Sequence, residues 1–117
     1  MPKKNVVITI SNPPHGSDRV MEGLRMAVGL CAGEDEHSVS VIFCDDGAYN
    51  VLSDILWDEN CTKCWSMMKK LNLKLYVDRS SMDKRGITEA DMDDPFELLT
   101  RKEVLELLIT SDVQMDF

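Results

Sequence analysis

Residues 5–11, Asn-Val-Val-Ile-Thr-Ile-Ser, constrain the fold more than any other stretch of the chain. The run is nearly all apolar and β-branched, with no alternation of polar and apolar positions. A strand covered on both faces has that character, and such strands belong to parallel sheets. Parallel neighbours need long crossovers, usually helices. The rest of the chain supplies them. After the irregular Asn12–Ser17 loop, a helix is predicted to begin near Ser17, with Ser17 or Asp18 at its cap. Val20, Leu24, Ala27, Val28 and Cys31 fall on its apolar stripe, and Gly33 stops it. Residues 37–44 read as a second strand, followed by the polar turn 45–50. The spacing of Val51, Leu52, Ile55 and Leu56 predicts a short helix, and another runs from about Asn60 to Leu71. Residues 73–77 form a third strand, with a loop over 78–87 beyond it. Residues 88–95 are acidic and poorly patterned, and 95–99 suit a short fourth strand. Thr100 and Glu103 have the capping-box spacing that opens a helix to about Thr110. Residues 112–117 close the chain as a strand with Val113, Met115 and Phe117 on one face. The fold class is therefore α/β: a three-layer α/β/α sandwich with a mostly parallel sheet of about five strands, in one domain over 1–117.

Composition narrows the function. At 117 residues and 44% apolar, one packed core is feasible. A formal net charge of −8 repels phosphate backbones, so direct nucleic-acid binding is not expected. No apolar run approaches the roughly 20 residues that span a bilayer, so no membrane association is expected. The start reads as a first strand rather than a signal peptide, which points to the cytoplasm. There the four cysteines are expected to be reduced rather than paired in a disulfide framework.

In such a fold, function gathers at the carboxyl ends of the strands. Cys61 and Cys64 open the helix near residue 60, where free N–H groups and the helix dipole favour a thiolate. Two cysteines three apart share a face and can act as a dithiol or persulfide site, with Cys61 the reactive thiol. Against this stands packing: Cys61, Cys64, Trp65, Met68 and Leu71 also make one apolar stripe, in which cysteine serves as a small hydrophobe. Structural zinc wants four ligands, and only one cysteine pair is present, so no metal is expected. Cys44 and His15 lie on loops of the favoured face. The loop around His15 lacks the glycine and lysine spacing of nucleotide-binding motifs, and no cofactor is expected. Asp45 and Asp46 suit either acid–base chemistry or a turn.

The chain resembles the DsrE/DsrF/TusD-like family of sulfur-relay proteins. The resemblance lies in the order and spacing of the stretch from Val6 to Leu30, residues 41–50, the Met82–Ile87 segment and the closing 111–117. It implies a compact three-layer α/β domain. It also implies sulfur passed as a cysteine persulfide, with a donor or acceptor protein, and assembly into trimers or hexamers or with related subunits. The family's sulfur-carrying cysteine lies just after the third strand, and some members have a second one three positions later. Counting back from Arg85 and Gly86 puts these at about Asp78 and Ser81, where this chain has no cysteine. Two accounts follow. Either the chain is a binding or scaffold subunit without the carrier, or Cys61 presents sulfur into the same pocket from another element. In both, His15, Cys44, Asp45, Asp46, Asp78, Ser81 and Arg85 shape the pocket.

Overall fold

The computed structural model describes residues 3–33, 37–71, 73–93 and 96–117. Five strands form one sheet: β1 Asn5–Ile10, β2 Ser38–Phe43, β3 Lys74–Asp78, β4 Glu97–Leu99 and β5 Val113–Asp116. Their order is β4-β3-β2-β1-β5, and every pairing is parallel. The helices are α1 Arg19–Ala32, α2 Glu59–Lys70, α3 Arg79–Lys84 and α4 Arg101–Thr110. Strand side chains alternate between two covered faces. Val6, Ile8, Val41, Phe43 and Val77 pack with Val20, Leu24 and Ala27 of α1 and Met68 of α2. Val7 and Ile42 point the other way and pack with Leu99 and with Val104 of α4. Burial on both sides is the reason apolar residues occupy both faces of β1 and β2.

The central strands, α1, α2 and the capping box of α4 lie where the sequence predicts them. Thr100 caps α4 by accepting from the Glu103 N–H at 3.2 Å, and the Glu103 side chain reaches back to the Thr100 N–H at 3.1 Å. Two elements differ from expectation. The predicted helix over 51–57 is absent, and a 3-10 helix occupies Asp45–Val51 instead. Beyond it the backbone pairs with a later segment: Leu52 bridges Met92, Ser53 N–H donates to Asp91 O, and Asp93 N–H donates to Val51 O. Those bonds take the groups a helix would have used. The second difference is α3, which fills the expected loop after β3. Only Ser81 and Met82 of its six residues are buried, so it has no apolar stripe to detect. Gly86, at φ +68°, ends the turn after it. The expected fourth strand begins at Pro95, which lies with Asp94 outside the described residues.

Candidate functional site

The carboxyl ends of β2, β3 and β4 converge on Asp78, the last residue of β3. Its side chain is fully buried. Asp78 Oδ2 accepts from Ser81 Oγ at 2.8 Å and pairs with the Arg101 guanidinium at 3.2 Å. Oδ1 is buried and has no partner. A carboxylate out of water needs this kind of pairing, because desolvation otherwise penalises its charge. Sequence reading missed Arg101, which opens α4. The available signal was its place directly after a parallel strand, where the chain returns to the same edge of the sheet.

Ser81 also links this centre to the end of β2. Its Oγ accepts from the Asp45 N–H at 2.8 Å. Asp45 sits at φ +51°, a left-handed conformation that aspartate tolerates better than most residues. Arg85 spans the same junction, donating to Ser81 O at 3.1 Å and to Asp46 Oδ1 at 3.1 Å. Thus Asp45, Asp46, Asp78, Ser81 and Arg85, all predicted for one pocket, do meet. Cys44 stands at their edge. Burial pushes its thiol up to about 11, and Asp45, Asp116 and Asp78 add to the rise while Arg101 opposes it. Its thiol stays protonated at neutral pH.

Cys61 and Cys64 belong to a different neighbourhood. Asp58 caps α2, accepting from the Cys61 N–H at 2.8 Å. The carboxylate thereby takes the helix-start donor that was expected to favour a thiolate. Cys61 is only 7% exposed. Burial raises its thiol to about 11, followed by the hydrogen bond and charge of Asp58 and then by Cys64. Cys64 is half-buried, and burial raises its thiol too, with Arg25 acting against the rise. All four cysteines are free. His15 is exposed, with its ring centroid 6.5 Å from that of Trp57. Among the described residues, no group of three or more His, Cys, Asp and Glu side chains could hold a metal ion. No described helix is long and apolar enough to cross a membrane.

At the sheet's switch in strand order, between β1 and β5, side chains and the chain's own carbonyls meet across the crevice. Asn12 Nδ2 donates to Phe117 O, Arg19 donates to Asp116 O at 3.1 Å, and the Arg19 guanidinium lies 5.4 Å from the Phe117 ring centroid. A ligand crevice in a doubly wound sheet would open there. The polar centre around Asp78 is the strand-end site on the opposite side of the sheet.

An all-parallel five-stranded sheet with helices on both faces and a polar centre after β3 defines the class: a three-layer α/β sandwich. The model of the DsrE/DsrF-like family matches residues 4–117, and the chain belongs to that family. Among solved structures it is similar to the ychN protein from E. coli, with a TM-score of 0.84 and 23% identity, covering 100% of both chains. At that identity the likeness speaks for the fold. A search of curated proteins finds no match.

Proposed function

We propose that this protein is a cytoplasmic, oligomer-forming DsrE-family subunit that works by binding, not by carrying sulfane sulfur itself. One observation carries the reading. Where the family resemblance places the sulfur-carrying cysteine and its second thiol, this chain has Asp78 and Ser81, locked together by a 2.8 Å hydrogen bond. A carboxylate cannot hold a persulfide, and pairing with Arg101 gives Asp78 a structural task. The competing reading, sulfur carried on Cys61 and resolved by Cys64, needs an ionised thiol at neutral pH. Burial and Asp58 both act against that ionisation. Donor or acceptor proteins of a sulfur relay remain natural partners for such a subunit, as do related DsrE-like chains.

The test is sulfur loading. The protein is incubated with inorganic polysulfide, desalted, and read by intact mass spectrometry and by cyanide-releasable sulfur. Native protein is expected to retain none. A single sulfur atom held on Cys61 or Cys44, and lost on alanine substitution there, overturns the proposal in favour of relay.

A further inference from the structure

A cavity of about 200 Å³ lies between α2 and the chain that follows the 3-10 helix. It is separate from the Asp78 centre. Trp65 lines it, with Trp57 at 5.3 Å and 57° and Phe96 at 5.6 Å and 81° between ring planes. These tilted rings offer apolar faces suited to a planar guest. Two of the residues lining it carry a buried polar atom without a partner, Asn50 Oδ1 and Trp65 Nε1. Asn50 is 2% exposed, and its amide is not free to turn. Its Nδ2 donates to Asn12 O and Gly47 O, both at 2.9 Å, which leaves Oδ1 as a lone acceptor. Native proteins rarely leave buried polar groups unmade, and each such group calls for an explanation. Here the side chains that carry one orphaned acceptor and one orphaned donor both line one aromatic cavity.

We propose that this cavity binds a small, neutral, planar heterocycle carrying both a ring N–H and a ring acceptor, about the size of one nucleobase. The N–H meets Asn50 Oδ1, the acceptor takes the Trp65 Nε1–H, and the ring lies against Trp57, Trp65 and Phe96. Size favours so small a guest, because 200 Å³ is below the ~300–1,000 Å³ of drug-sized sites. Neutrality follows from the exposed pair Lys69 and Asp93, which bring both signs of charge to the lining. Solvent does not reach either orphaned atom, so a guest meets them only once a lining side chain shifts, and Trp57 is the one placed to move. Trp57 sits on an irregular segment whose neighbour Leu56 is 88% exposed, and such a segment can yield without disturbing α2.

The chain has two tryptophans, and both face this cavity, so intrinsic fluorescence reports on it directly. The full chain is titrated with adenine and uracil, and with benzene as an apolar control. Saturable quenching by at least one of the two bases is expected, with benzene weaker. Trp65→Phe keeps a ring and removes the donor, leaving Trp57 as reporter, and is expected to weaken base binding about tenfold, the effect of one lost buried hydrogen bond. Ser66→Phe, at an exposed position of α2 that lines the cavity, plugs it from outside the core and is expected to abolish binding. Absence of saturable binding by either base overturns the proposal. So does benzene binding as tightly as the bases, or undiminished binding by a folded Trp65→Phe or Ser66→Phe protein.

Discussion

Cys61 shows how a single residue can carry one meaning in sequence and another in the fold. Its place in the first turn of α2 should lower a thiol's pKa. Burial reverses this, and Asp58, three residues earlier, adds to the reversal by occupying the same backbone donor with its own charge. Chemistry at high pH exposes the difference. In an unfolded chain the thiol ionises near 9, and in the folded protein near 11. Between those values the unfolded state binds fewer protons, so stability falls as pH rises; below pH 9 the contribution is complete. Tm is expected to drop across that window, and to drop less in Cys61→Ala. An equal drop in the variant would show that Cys61 is not the group involved. At neutral pH, brief iodoacetamide treatment followed by peptide mass spectrometry should label Cys61 more slowly than the half-buried Cys31, with the gap closing in denaturant. Faster labelling of Cys61 would restore it as a reactive thiol.

At the scale of elements, the 3-10 helix Asp45–Val51 sets the position of the Asp78 centre, and Gly47 sets the 3-10 helix. A Cβ on Gly47 would lie 1.8 Å from Ile10 O and 2.7 Å from Ile10 C. Backbone meets backbone there, so no side-chain rotation relieves the clash. The same Ile10 O accepts from the Cys44 N–H at 3.0 Å, fixing the exit of β2 against the end of β1. Gly47→Ala is expected to cost about 3 kcal/mol or more, at the upper end of overpacking penalties. Urea denaturation measures it, and a midpoint within error of the native protein would mean the 3-10 helix can move off β1 freely. A sequence reading that placed a helix over 51–57 had no means to see this close approach. It weighed the spacing of Val51, Leu52, Ile55 and Leu56, while the backbone of 51–53 was already committed to 91–93.

For the whole molecule, the two faces of the sheet are unequally covered. α1 and α2 share one face, and α4 is the helix packed on the other. Of α4 only Val104 is buried, while Leu105 is 50% and Ile109 80% exposed. The apolar breadth of this helix was already visible in its sequence, and the fold of one chain leaves much of it outward. By contrast, the segment 48–57, which is also rich in apolar side chains, buries Ala48 and Val51, and of its apolar residues exposes chiefly Leu56. Apolar surface of this kind drives association, and closed symmetric assemblies are its usual form. Sedimentation equilibrium is expected to give a mass well above 13.3 kDa, and Leu105→Glu with Ile109→Glu should shift it toward the monomer. A single 13.3 kDa species at high concentration would refute the expectation.

What the sequence determined by itself is local and periodic. The β-branched run at β1, the valine- and isoleucine-rich second strand, the apolar stripes of α1 and α2, and the capping box at Thr100 each depend on residues a few positions apart. Together they suffice to specify a parallel α/β sheet. They also put the loops after β2 and β3 at one edge, because a parallel sheet brings its strand ends together, while Asp78 and Ser81 were singled out within them by the family resemblance. Tertiary structure alone decided how those residues are used. The pairing of Asp78 with Arg101 joins the ends of two strands. The left-handed turn at Asp45 is held by a serine from the next strand's exit. Trp57, Trp65 and Phe96 meet around one cavity, although they come from three segments of the chain. Burial and charge pairing are set by contacts distant in sequence, and no window of neighbouring residues contains them.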